Sequence, residues 1–333
     1  MRVAYHILIF ILIAAVRPAI APGQESTFDR GVQQGMQLVM SHQYQAAETH
    51  WRQLEEQHPA QQLETVFYAA AGRQMEMFDL DRVLDGKALE QALQRVQSLA
   101  RRRSSTGDGF DGAVYTGSAL GLLSMYYHLR DEYAAALQTG LKSIRYLDRA
   151  QKLRPKALEP LLGLGIYKYW SGTISRRFAW LPFVEDEREA GIDMLQRVTA
   201  LPQGQLVAWN QLAWALLDMD RPSDAVARSL EGLEKFPDSR FLLWPLAEGF
   251  LTQQQYAQAG EQFATIRTSL ETDGLTGEYV YLKCLVKSAE CARQLGEDVT
   301  ALVQQALAVK VHKDHRRRAE KFHDRAQEML EER

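Results

Sequence analysis

LVAWNQLAWALLDMDRPSDAVARSLEGLEKFP, residues 206–237, and RFLLWPLAEGFLTQQQYAQAGEQFATIRTSLE, residues 240–271, superimpose at an offset of 34 residues. The offset matches Trp209 with Leu243, Leu212 with Leu246, Ala213 with Ala247 and Ala225 with Ala259. In the first stretch Trp209, Leu212, Ala213 and Leu216 recur at three and four residues, the stripe of an amphipathic helix. Arg221-Pro222-Ser223 breaks that helix, and Pro222 suits the first turn of the next one. Ala225, Ser229 and Gly232 are small enough to let two antiparallel helices approach closely, and Pro237 ends the second helix. The second stretch repeats the pattern with Leu246, Ala247, Phe250, Tyr256, Ala259, Phe263 and Ile266. A helix-turn-helix unit of this length cannot bury its apolar face alone, so the repeat predicts stacked helix pairs.

With a small residue on the first helix, Ala on the second, an aromatic one turn later and a closing Pro, the chain resembles the tetratricopeptide repeat family. Gly35, Leu38, Tyr44, Ala47, Trp51 and Pro59 fill these roles near the N-terminus. The resemblance implies an all-α, right-handed solenoid of about seven helix-turn-helix repeats with a C-terminal capping helix. The units fall at 28–59, 61–103, 111–155, 156–202, 206–237, 240–271 and 276–311, with the cap at 314–332. The first and fifth units are separated by roughly 42 residues more than four periods allow, which places insertions between them. The second unit carries Tyr68, Gly72 and Met75 and an overlong connection from Asp79 to Gly86. In the third, Leu120, Ser124, Tyr127, Tyr133 and Ala136 hold the pattern, and its second helix runs past the usual length before Pro155. Leu161, Gly165, Ala190 and Met194 mark the fourth, and Leu285, Ala289, Ala292, Gly296, Ala301 and Ala308 the seventh. The cap carries Ala319, Phe322, Ala326 and Leu330 on one side of a charged, basic, solvated helix.

In this family the first helices line a concave surface, which implies a groove built from Met125, Tyr169, Trp170, Asn210, Gln211, Trp214, Trp244 and Glu248. Aromatic anchors with a few amides suit a peptide or a protein surface. The alternative is that individual rings pack between helices. The insertion from Ser171 to Glu187, SGTISRRFAWLPFVEDE, adds Arg176, Arg177, Phe178, Trp180 and Phe183 to the candidate partner-binding set. So apolar a loop must cover its own body or meet a partner, and folding of residues 178–183 toward Tyr169 and Trp214 would close one end of the groove.

Residues 1–23 read as a cleavable secretory signal: Arg2, an apolar run from Val3 to Val16, and the small-x-small pattern Ala19-Ile20-Ala21. The run is short of the approximately 20 apolar residues that span a bilayer, so no membrane span is expected after cleavage. Pro22 keeps an uncleaved anchor open as the alternative, and cleavage after Gly23 is a fallback. The whole chain has 39 Lys plus Arg against 42 Asp plus Glu, a formal charge of -3. The signal holds two arginines and no acid, so its removal leaves -5, which gives no electrostatic reason to expect nucleic acid. Ten Pro and 22 Gly, with no Ser/Gly-rich linker, favour one continuous body. Cys284 and Cys291, seven residues apart on one helix, have Cα atoms roughly 10 Å apart, too far for a disulfide.

No chemical motif survives its context. Gly107, Gly109 and Gly112 have dinucleotide-binding spacing but follow Arg101-Arg102-Arg103 at a helix end instead of a strand, so no cofactor is expected. His312, His315 and His323 lack a completing carboxylate or thiol and sit beside Arg316, Arg317 and Arg318, which argues against a metal. With no nucleophile elbow, zinc-protease helix or phosphate loop, the expected role is a non-enzymatic scaffold of the bacterial cell envelope, periplasmic or secreted. The alternative function is carbohydrate or peptidoglycan binding or processing, which rests on fold analogy.

Overall fold

The computed structural model describes residues 26–105, 107–175, 186–200 and 205–331. The signal region 1–23 and the insertion residues Arg176, Arg177, Phe178, Trp180 and Phe183 lie outside them. All the regular structure among the described residues is helical. Among the described residues the helices group into two compact units, one reaching residue 78 and resuming from 83 to 218, the other of residues 79–82 with those from 219 onward, where the even composition had suggested one body.

In the first unit α1 (Thr27–Met40) and α2 (Tyr44–Gln57) form a hairpin, followed by α3 (Gln62–Asp79) and α4 (Gly86–Ser104). Then come α5 (Phe110–Leu129) with α6 (Tyr133–Leu153), α7 (Leu161–Ser175) with α8 (Arg188–Val198), and α9 (Gln205–Asp218). Neighbours in sequence pack on one another, α4 on α5, α5 on α6, α7 on α8 and α8 on α9. That is the arrangement of an α-solenoid, in which each helix buries its stripe against the next. Small residues set the approach. A Cβ at Gly35 would lie 2.4 Å from the Trp51 ring, which explains why the sequence pairs glycine on the first helix with an aromatic on the second.

The fourth pair departs from the expected register. Gly191, not Ala190, faces α7: a Cβ on Gly191 would lie 2.6 Å from the Gly165 carbonyl oxygen, while Ala190 is exposed. Ile192, Leu195 and Val198 complete the buried stripe of α8, so the pattern sits one residue later than the spacing suggested. The first five residues of the insertion, Ser171 to Ser175, continue α7 as helix.

The second unit holds α10 (Pro222–Lys235), α11 (Arg240–Thr252), α12 (Tyr256–Thr272), α13 (Tyr279–Gln294), α14 (Thr300–Ala308) and α15 (Arg316–Glu331). Second helices α10 and α12 begin at Pro222 and Tyr256, reproducing the 34-residue period. One core runs through Leu243, Ala247, Ala259, Phe263, Ile266, Leu285, Ala289, Val303 and Ala306 to Ala319, Ala326 and Met329 of the cap. Cys284 and Cys291 are free and buried within it. On α14 it is Val303 and Ala306 that are buried, whereas Ala301 and Ala308 are exposed, a second shift of register.

Three hairpins share one turn. His42, Asp131 and Gln254 adopt left-handed backbone (φ 61, 60 and 60) two residues before α2, α6 and α12. The residue after each donates its N–H to a carbonyl five positions back, Gln43 to Leu38, Glu132 to Tyr127 and Gln255 to Phe250, at 2.8 to 2.9 Å. This closes the first helix with the six-to-one bond of a Schellman-type cap and reverses the chain.

Residues 79–82, expected as part of an overlong connection, are held by ions in the second unit. The buried Arg240 guanidinium grips the Asp79 carboxylate through Nε at 2.9 Å and through Nη2, and also donates to Ser269 and Asp273 at 2.7 and 2.5 Å. Arg82 pairs with Glu278 at 2.6 Å, and Arg318 with Asp81 at 3.0 Å. His315, expected on a solvated cap, is buried 5.3 Å from the Tyr279 ring, and that burial lowers its pKa.

Candidate partner-binding surfaces

The expected groove residues divide by burial. Met125, Tyr169, Trp170, Asn210 and Gln211 are buried, and Trp214, Trp244 and Glu248 are half-buried. The buried members on α7 and α9 bond to their neighbours: Tyr169 donates its hydroxyl to the Ala215 carbonyl and to Asp218, both at 2.8 Å. Trp170 Nε1 donates to Gln211 Oε1 at 3.3 Å, and Gln211 Nε2 to Asn210 Oδ1 at 3.2 Å. Desolvation, with Asp218 alongside, pushes the Tyr169 pKa far up. These five side chains are buried, and those on α7 and α9 tie first helices to one another. Buried polar side chains that bond one another leave little for a ligand to use.

Trp244 and Glu248 of α11 belong to a shelf with α13. Lys283 Nζ lies 4.2 Å from the centre of the Trp244 ring, a cation–π distance, and Lys287 Nζ lies 3.3 Å from Glu248. Burial pulls the Lys283 pKa down from 10.5 to about 8, although Glu248 opposes it. The ring is further covered by the edge of Phe263 at 5.7 Å. The shelf is a cation on an aromatic floor, largely withdrawn from solvent.

In the first unit, a cavity of about 150 Å³ opens between α2, α3 and α4 over Trp51 and Gly72. Its rim arginines are engaged, Arg73 by Glu48 at 2.8 Å and Arg95 by Glu55 at 2.5 Å. Trp51 Nε1 inside it makes no hydrogen bond.

The surface that sequence reasoning missed is on α6. Tyr133, Leu137 and Leu141 recur every four residues and remain 58%, 64% and 40% exposed. Ala136, Thr139, Ser143, Leu147 and Ala150 form the buried stripe beside this row. The Tyr133 hydroxyl donates to Asp131 at 2.6 Å, and its ring lies 5.5 Å from that of His128. The signal was present in the sequence, because α6 carries a second apolar row beyond the one needed for packing.

These observations define a helix-hairpin repeat protein. No known protein-family profile matches the sequence, and no curated protein matches it. Among solved structures, the TPR2AB domain of yeast Sti1 in complex with pHSP90 is 12% identical, with 90% of this chain and 98% of that one covered and a TM-score of 0.29. A human IFIT1 dimer with m7Gppp-AAAA is 11% identical, with 92% and 76% covered and a TM-score of 0.41. Neither likeness carries an inference about a ligand. No helix among the described residues is long and apolar enough to cross a membrane.

Proposed function

We propose that the protein is a non-enzymatic scaffold of the bacterial cell envelope, exported by its N-terminal signal, that binds a partner protein or peptide. The single observation behind this reading is the exposed row Tyr133, Leu137 and Leu141 on a helix whose packing stripe is already satisfied. Exposed apolar rows rimmed by polar residues mark sites where another molecule sits. Stacked helix pairs supply a rigid frame for such a row, since each helix is fixed by both neighbours. The role expected of an aromatic groove is thus assigned to the exposed face of α6, because Tyr169 and Trp170 of the groove rings are buried.

A photo-crosslinking side chain placed at Leu137 in growing cells tests the reading. A discrete protein adduct in the envelope fraction, abolished by Leu141→Asp, is the expected result. Adducts confined to cytosolic proteins would refute the location, and absence of any protein adduct would refute the scaffold.

A further inference from the structure

The outward face of α6 is more than apolar. At about 100° of rotation per residue, Tyr133, Leu137 and Leu141 occupy one arc of the helix, and Lys142, Arg145, Arg149 and Lys152 the adjacent arc. All four cations are exposed, and none has an ion-pair partner among the described residues. Asp148 is the helix's one acidic residue. The helix spans 21 residues, roughly 31 Å, and exposes Tyr146 and Leu153 among the cations of its second half.

Neighbouring elements extend the positive end. A Cβ on Gly109, before α5, would lie 3.8 Å from the Arg149 guanidinium, and Gly112 lets the first turn of α5 pack against Ala100 and Ser104 at the end of α4. Arg101 and Arg102 of α4 therefore reach the same end of the hairpin stack, both exposed. Arg103 is occupied by Glu64, and Arg154 by Asp108. In a chain of net charge -3, a run of unpaired cations beside an apolar row is a local reversal of the overall field.

Resting on the scaffold reading, we infer that α6 docks an acidic, leucine-bearing segment of a partner protein, its apolar side chains on Tyr133, Leu137 and Leu141 and its carboxylates on Lys142, Arg145, Arg149 and Lys152. Charge complementarity selects the occupant. A second copy of this chain would have to meet the row with an acidic face, which α6 itself lacks. The apolar row offers on the order of 300 Å², well short of the ~800 Å² per partner of a stable standard-sized interface, and so fits a peptide segment. Cations of this kind steer encounter and set register, while the leucines hold the complex.

The test uses the full mature chain and a fluorescein-labelled synthetic helical peptide with leucines on one face and glutamates beside them, read by anisotropy. Wild type should bind this peptide, more weakly as salt rises, with roughly tenfold loss in K142E/R145E/R149E and similar loss in L137S/L141S. Because the substituted side chains are exposed, circular dichroism should show both variants folded. Equal binding of a lysine-for-glutamate peptide, or no effect of the charge reversal, would overturn the acidic partner and leave the scaffold intact. Binding to phosphatidylglycerol vesicles in place of the peptide would overturn it in favour of a membrane surface. Self-association abolished by L137S/L141S would overturn it in favour of a second copy. Failure with every probe, together with no adduct at Leu137 in cells, would sink both readings.

Discussion

Arg240 shows how much one side chain can hold. Its guanidinium is buried with Asp79 and reaches Ser269 and Asp273, so removing one partner leaves an uncompensated charge inside the second unit. Asp79→Ala should cost about 3–5 kcal/mol, visible as a lower urea midpoint, whereas loss of the more exposed Arg318–Asp81 pair should cost under about 1 kcal/mol. Equal effects would show that the Arg240 site is hydrated. Lys283 makes a prediction with a definite sign. Its folded pKa of about 8 lies below the ordinary 10.5, so between those values the unfolded chain binds the proton that the folded chain has released. Stability therefore rises with pH across that window for this group. Relative to Lys283→Met, the wild type should gain up to about 3 kcal/mol between pH 8 and 10.5 in denaturant titrations, and a constant difference would contradict the buried site. Neither ion network was legible in the sequence, because residues 79, 240 and 273 meet only through the fold.

Single elements show what periodicity can and cannot carry. The stripes of α9 to α12 follow from a 34-residue match of identical and similar residues, and their helices begin where Pro222 and Tyr256 imply. Where the match weakens, the helix type survives and the register slips, as on α8 and α14. The physical reason is that a short helix with two adjacent small residues, such as Ala190-Gly191, fits the spacing with either. Gly191→Ala should cost about 2–3 kcal/mol, since its Cβ would lie 2.7 Å from the Tyr169 amide nitrogen, while Ala190→Ser should stay within about 0.5 kcal/mol. The reverse order, measured by thermal unfolding, would restore the earlier register. Groove residues were harder still. A first helix buried on nearly every side, such as α5 or α9, has no polar face by which to recognise the surface it presents, and Tyr169 and Trp170, expected as anchors, are buried. On α6 the reverse held: the repeat pattern inspects Tyr133 but not Leu137 or Leu141, and Tyr133 is exposed.

At the scale of the whole molecule, the repeat explains the architecture. The division into two compact units left no mark in composition, since both are built of the same hairpins and residues 79–82 join the second unit through side-chain charge instead of a linker. Export and a partner remain joined in one proposal: a protein bearing an exposed apolar row next to unpaired cations is suited to hold an acidic segment once it reaches the envelope. The most direct measurement is made on Leu141→Asp carrying the photo-crosslinking side chain at Leu137, comparing the thermal unfolding midpoint with recovery of the cross-linked partner from envelope extracts. The expected result is an unchanged midpoint and a lost partner, because exposed side chains contribute little to folding and much to docking. A midpoint lowered by several degrees, with the partner retained in proportion to folded protein, would make the row part of the protein's own core and contradict the assignment.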